Sequence, residues 1–411
     1  MKCALESDST ESIHGAWPSW AHQLLDRKDR VEIWLDAQLA QGNPLPYASV
    51  DIRNAGFKLA AVDTNCFPAG FNNLHPATYP QASAAMRRYL SAHLAEGEVI
   101  ALLAESHSRN MFYYESLAVL RDLIVTAGFT VRLATLMETG PEETLVMDLA
   151  HGRTLTLERL HQQGETLYVG QQPVSLLWLN NDLSAGLPEI IREASIPVVP
   201  PPGMGWQQRS KWRHFSLYSQ VVHHFATTFD LDPWQWEAAC SHCQDVDLRH
   251  GLGLTCLKDR AQEILEETTR QYAMRNLSTT PFVVAKADQG TYGLAVMVIR
   301  SPEELDHLNR RQRQRMARGK EGVAVSRVFL QEGVPTTDAR ITDQAPAEPV
   351  VYLIGGEVVG LFYRVHPGRG DSDSLNAPGM EFVPVEHMDD RGWIYGVVAR
   401  LAHLAAMQEA T

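Results

Sequence analysis

Cysteine is sparse and basic charge is in deficit. The 411 residues include five cysteines, Cys3, Cys66, Cys240, Cys243 and Cys256. An odd, scattered set in a long chain argues against a disulfide scaffold and fits a reducing cytoplasm. Cys240-Ser241-His242-Cys243 has the outline of half a zinc site. Its only near neighbours are His250 and Cys256, and their spacing completes no common closed site. Asp and Glu number 49 against 36 Lys and Arg, a net charge of −13. That balance argues against nonspecific nucleic-acid binding through a broad basic face. No apolar run reaches the ~18–20 residues that span a bilayer. The first residues, MKCALESDSTES, lack the apolar core of a secretory signal. Neither a nucleic-acid nor a membrane partner is expected, and self-association is left open.

Against these absences stands 45% hydrophobic residues, enough for a sizeable core. Length suggests two to three domains of roughly 150 residues. The densest signal is Pro281 to Gly293, PFVVAKADQGTYG. Phe282 to Ala285 form a continuous apolar run, as in a strand covered on both faces. The run ends in Lys286, which is costly to bury unless it meets an anion. Gln289-Gly290-Thr291-Tyr292-Gly293 then offers backbone N–H donors and glycines free to take positive φ. A point charge beside such a loop is one way to hold phosphate. It is not the GxxxxGK[ST] loop, because the lysine precedes the glycines and no helix follows. An ordinary hairpin with a surface lysine is the alternative.

In chain order, residues 1–20 read as a loose arm. Trp20 to Ala40 has helical spacing. Ser49 to Leu74 reads as two short strands with polar residues between and after them, Arg53, Asn54, Lys58, Asp63, Asn65, Asn72 and Asn73. Such a set suits a small zwitterion, with Arg or Lys for a carboxylate and Asp or Asn for an amine. A self-capped surface loop is the alternative. Cys66, inside this stretch, is expected to pack. Val99 to Ala104 is a buried strand running into Glu105, His107, Arg109 and Asn110, then a helix, Gly128 and another strand. In such βαβ units ligands sit beyond the strands' C-terminal ends. Leu145 to Val174 reads as an antiparallel meander. The proline-rich junction ending at Gly203 suggests a domain boundary. Gln207 to Phe229 reads as a helix with a cationic start that includes Lys211, a hint of a nearby anion. Trp234 to Cys243 is expected to be helical. Ser301 to Met316 opens with a capping box and reads as one helix. Gln331-Glu332-Gly333 follows a strand. Pro349 to Val365 is a hairpin about Gly355-Gly356, ending in Arg364. The loop after it contains Asp371, Asp373 and Asn376, hard oxygen donors suited to Mg²⁺.

The order of these parts resembles the ATP-grasp ligases, glutathione synthetase among them. The stretches RNAGFKLAAVDTNCFPAGFNNL, PFVVAKADQGTYG, EPVVYLIGGEVVGLFYRVH and LNAPGM resemble the bacterial glutamate–cysteine ligases first associated with acidophilic sulfur and iron oxidisers. The resemblance runs from about Ser49 onward. It implies an α/β (α+β) chain, with a βαβ-type amino-acid domain over 21–203 and an ATP-grasp-like domain over 204–411. It implies a cytoplasmic enzyme that joins glutamate to cysteine with ATP and Mg²⁺, the first step of glutathione biosynthesis. Lys211 and Lys286 would contact the phosphates, the Gly290 loop would cover them, and Gln331-Glu332 would hold the adenine. Arg364 would steady the transferring phosphoryl group, and Asn376 would bind the metal with Asp373, Asp371 or Glu332. Many ATP-grasp enzymes carry Glu two residues before that Asn, where this chain has Ser374. Arg53, Asn54, Lys58, Asn65, Asn72, Asn73, Glu105 and Arg109 are the candidates for the amino acids, from composition and position.

Overall fold

The computed structural model describes residues 13–18, 20–95, 97–105, 110–137, 144–205, 208–289, 296–316 and 325–410. Strands β1 (Tyr47–Asn54) and β2 (Leu59–Asn65) form a hairpin, followed by helix α1 (Tyr79–Ser91). The βαβ unit follows as β3 (Val99–Ala104), α2 (Met111–Thr126) and β4 (Thr130–Thr135), and β5 (Leu176–Asn180) lies beyond the meander. Next come α3 (Lys211–Phe229), β6 (Cys240–Cys243), α4 (Leu254–Met274), β7 (Val283–Ala287), β8 (Val296–Ile299) and β9 (Val328–Glu332). The chain closes with β10 (Ala347–Ile354), β11 (Glu357–Val365), β12 (Glu381–Pro384) and α5 (Asp390–Ala410).

Three larger sheets result. An eight-stranded sheet has β5, β3 and β4 parallel and carries the antiparallel meander. A four-stranded antiparallel sheet runs β6-β9-β7-β8, and a five-stranded antiparallel sheet runs β12-β11-β10-β1-β2. Period-two alternation explains why the sequence VIALLA becomes a central strand. Ile100, Leu102 and Ala104 of β3 enter one core, and Val99, Ala101 and Leu103 enter another. β10 splits the same way, with Val350, Tyr352 and Ile354 against Ala347, Val351 and Leu353. Helix α5 packs between the five-stranded sheet and α3, so it is apolar on almost every side. Gly355 and Gly356 turn the β10–β11 hairpin with φ of 57° and 83°, values a side chain would resist.

Four expectations change. The boundary near residue 203 does not separate the sheets, because β1 pairs with β10 across it, Val350 opposite Asp51. Trp234 to Cys243 is not a helix: Pro233–Gln235 make one 3-10 turn, and β6 pairs with β9, so sheet pairing overrides local propensity. Ser301 to Met316 is split into a 3-10 turn, Pro302–Leu305, and a short helix, Arg310–Met316. Asn309 starts the second piece by accepting from the Gln312 amide. Finally, Cys243 and Cys256 form a disulfide, since β6 and the start of α4 meet at a Cα separation of 6.1 Å. Cys66 packs, buried in a core cluster, and burial pushes its thiol up to about 11. Of the amino-terminal arm, Ile13–His14 pairs with Ala339–Arg340.

Candidate active site

A cavity opens between the four-stranded and five-stranded sheets. From the first come Phe282, Val284, Lys286, Val296, Val298, Gln331 and Glu332. From the second come Asp51, Arg53, Asp63, Glu348 and Arg364, with Ser372, Asp373, Ser374 and Asn376 from the loop after β11. Lys211 closes one end. One face is therefore largely apolar and the other densely charged. The charged side chains project because strands alternate: Val50 and Ile52 pack toward α5, so Asp51 and Arg53 point the other way.

Local structure explains the position of each lysine. Lys286 Nζ donates to Val62 O at 2.8 Å and to Gln331 Oε1 at 2.9 Å. Burial pulls its pKa down from 10.5 to about 8. Lys211 is the first residue of α3, whose cap is Ser210. Asp288, just past β7, fastens that helix start. Its carbonyl accepts from Lys211 N, and its Oδ1 accepts from Trp212 N and Ser210 Oγ. The anion that the cationic helix start called for is thus in part a side chain of the Lys286 loop. Lys211 Nζ lies 4.0 Å from Asp63 Oδ1, and burial lowers the Lys211 pKa as well.

On the charged face Arg364 Nη1 donates to Asp51 Oδ2 at 2.7 Å and to Glu348 Oε1 at 2.6 Å. Arg53 Nε meets Glu348 Oε2 at 2.6 Å. Its Nη1 and Nη2 donate to the carbonyls of Asp371 and Asp373, which holds the metal-candidate loop against the cavity. The three carboxyls of this face differ. Burial raises Asp51, helped by the Glu348 and Asp63 anions and opposed by Arg364. Burial also acts on Glu348, but Arg53 and Arg364 outweigh it and hold that group low. Asp63 is likewise held low against burial by Lys211, Lys286 and Arg209.

The profile of the GshA family, glutamate-cysteine ligase, matches residues 21–410. The chain belongs to that family. It is also 38% identical to a candidate gamma-glutamylcysteine synthetase from Methylobacillus flagellatus KT, over 95% of both chains and with a TM-score of 0.86. D-alanyl-alanine synthetase A from Vibrio cholerae is 11% identical over 75% of this chain and 82% of its own, with a TM-score of 0.36. A glutathione synthetase-like effector from Globodera pallida is 12% identical over 86% and 82%, with a TM-score of 0.35. No curated protein matches the chain.

In this ligase the cavity gathers Lys211, Lys286, Gln331, Glu332, Arg53, Arg364, Asp373 and Asn376 from the expected set. Several others are spent elsewhere. Asn54 faces away from Arg53, donating to Asp338 Oδ1, Ala16 O and the Tyr395 hydroxyl. Lys58 Nζ is buried against both oxygens of Glu332 at 2.7 Å and lies 4.1 Å from the Trp234 ring centre. The Glu332 carboxylate is therefore committed to Lys58 and to the Ala239 amide, although the residue still lines the cavity. Asn65 caps its own turn by accepting from Phe67 N. Asn72 and Asn73 sit in a 3-10 turn, and Glu105 follows β3 with its amide donating to the Tyr113 hydroxyl; none lines the cavity. Gln289 also stays outside, donating to Gln208 O. The Asp371 carboxylate accepts from Ser372 and does not line the cavity either. Gly290, Thr291, Tyr292, Gly293 and Arg109 lie outside the described residues.

Asp51 and Glu348 were not singled out from the sequence, and Asp63, though noted in its stretch, was not among the expected site residues. Their signal was present: each is an acid with apolar neighbours in its strand, Val50 and Ile52 beside Asp51, Val62 before Asp63, Ala347 and Pro349 beside Glu348. Among the described residues no three His, Cys, Asp or Glu side chains form a ready metal cluster. Mg²⁺ does not require one, since it is bound by one or two carboxylates plus substrate phosphates and water. Asp373 and Asn376, both lining the cavity, fit that demand in their donor chemistry.

Proposed function

We propose that this cavity joins glutamate to cysteine, forming γ-glutamylcysteine through a γ-glutamyl phosphate. The observation that carries the proposal is the convergence of Lys211, Lys286 and Arg364 on one cavity in a member of this family. The adenine would lie against Val284 and Val298, near Gln331 and the chain beyond it. Its phosphates would extend toward Lys286 and Lys211. An oxygen of the glutamate γ-carboxylate attacks the terminal phosphorus of ATP, the bond to ADP breaks, and an acyl phosphate forms. The amine of cysteine then attacks the acyl carbon and phosphate leaves. Such transfers need positioning and charge neutralisation more than a protein nucleophile.

Lys211 supplies that charge from a buried position and Lys286 from a half-buried one, where each unit acts more strongly than in water. Arg364 is fixed by two carboxylates and needs no reorganisation to face the transferring group. Asp373 and Asn376 would hold Mg²⁺, which when bound offsets charge on phosphate oxygens. ATP and both amino acids are cytoplasmic solutes, and we place the enzyme there. No helix among the described residues is long and apolar enough to cross a membrane.

The test is product identification by mass spectrometry with ATP, Mg²⁺, glutamate and cysteine present. A γ-glutamylcysteine mass with one ADP per product is expected. Phosphate release with no preference for cysteine would overturn the assignment of the second substrate.

A further inference from the structure

The second half of the reaction poses a problem that the lysines do not solve. The α-amino group of cysteine is mostly an ammonium near neutral pH and has no lone pair with which to attack. Something in the cavity has to accept its proton. Of the cavity's carboxylates, Asp373 belongs to the metal-candidate loop and Glu332 is held by Lys58; Asp51, Asp63 and Glu348 remain, and their surroundings separate them. Glu348 has both oxygens engaged, one by Arg364 and one by Arg53. Asp63 also accepts no hydrogen bond among the described residues, but Lys211 Nζ lies 4.0 Å from its Oδ1, so it faces a lysine aimed at phosphate. Asp51 pairs instead with Arg364, whose Nη1 it shares with Glu348. Its Oδ2 accepts from Arg364 Nη1, and among the described residues its Oδ1 accepts no hydrogen bond.

We propose that Asp51 is the general base that takes the proton from the cysteine ammonium as the amine attacks the γ-glutamyl phosphate. This inference rests on the function proposed above. One N–H bond breaks and its proton passes to Asp51 Oδ1. The N–C bond forms, the acyl C–O bond to phosphate breaks, and the leaving phosphate takes the second ammonium proton. Asp51 returns its proton to water as products leave. No oxidant or further reactant is needed.

The electrostatics agree with the geometry. Burial makes Asp51 the most proton-hungry carboxylate of the three, with the Glu348 and Asp63 anions adding to it and Arg364 opposing. Glu348 and Asp63 are held as weak bases. Groups whose surroundings push their proton affinities apart are suited to different tasks. The other charged or titratable groups facing Asp51 are Lys286 and Arg53 on the cavity wall and Tyr352 on β10. Lys286 donates to two oxygens and is poised as a cation toward phosphate.

Hydroxylamine provides the test, because it is a neutral nucleophile at pH 7 and needs no base. Asp51→Asn keeps the shape of the side chain and a polar atom toward Arg364. With cysteine as acceptor, its kcat is expected to fall on the order of 10²-fold or more. With hydroxylamine as acceptor, glutamyl hydroxamate formation is expected to fall at least tenfold less. That residual activity also reports that the variant is folded. The wild-type rate with cysteine should decline as pH falls through the raised Asp51 pKa, and the variant should lose this limb. It should recover rate as pH rises toward ionisation of the ammonium. Parallel losses with both acceptors would overturn the proposal, placing Asp51 in glutamyl phosphate formation. Undiminished turnover with cysteine would overturn it as well. A wild-type enzyme that yields hydroxamate but no γ-glutamylcysteine would instead overturn the reading on which the proposal rests.

Discussion

Lys286 is a half-buried amine whose cost the folded chain bears in order to meet a ligand. Burial lowers its pKa to about 8 from 10.5. The folded state therefore binds this proton less tightly than the unfolded state. Below about pH 8 the penalty is fully present, and it fades as pH rises toward 10.5. Lys286→Met removes the penalty together with the charge. At pH 7 and without nucleotide, the melting temperature of the variant should equal or exceed that of the wild type. Ligase turnover should fall by roughly 10² or more, as when a preorganised charge is lost at a transition state. Added ATP should stabilise the variant less than the wild type, since stabilisation by a ligand follows its affinity for the folded state. A variant that melts far below the wild type would show that Lys286 serves the core.

Among the elements, the β1–β2 turn does more than close a hairpin. It sends Lys58 beneath the end of β9, where the side chains of Lys58 and Glu332 are each 1% exposed. Burial outweighs Glu332 in lowering the Lys58 pKa, so the pair is a latch and not a large net source of stability. Breaking it from one side leaves a buried charge without its partner. Lys58→Met should cost about 3–5 kcal/mol, measured by urea unfolding. Adding Glu332→Gln to that variant should recover much of the loss, because the amide still reaches the Ala239 N–H without a charge. Equal midpoints for the single and double variants would show that the latch carries no load. The turn also explains why two neighbouring polar residues met different fates. Arg53 and Asn54 alternate across a strand, so one enters the cavity and the other meets Tyr395 on α5. That alternation was available in the sequence. What the strand opposite would offer was not.

At the scale of the molecule, what could be read from the sequence was local. The runs at Val99 and Phe282, the Gly355-Gly356 turn and the lysine ending β7 depend on near neighbours, and a linear pattern carries them. The register between β1 and β10 depends on residues some three hundred positions apart, as in Val350 opposite Asp51, and the bond from Arg364 on β11 to Asp51 spans 313. No spacing rule reports that pairing, so Asp51 and Glu348 stayed hidden on the charged face of the cavity, and a boundary at residue 203 looked natural. The five-stranded sheet makes the consequence testable. Expressed alone, residues 204–411 would leave β10 with an uncovered edge, and Asp51 and Arg53 would be missing from Glu348 and Arg364. An exposed apolar edge invites aggregation, and two charges would lose buried partners. This fragment should lack a cooperative thermal transition by circular dichroism. Mixed during refolding with residues 1–203, it should regain one, because the missing strands β1 and β2 lie in that piece. A sharp, reversible melt of the isolated fragment would mean that the two halves are independent and that the shared sheet is an appendage, in which case Asp51 could not be a fixed part of the site.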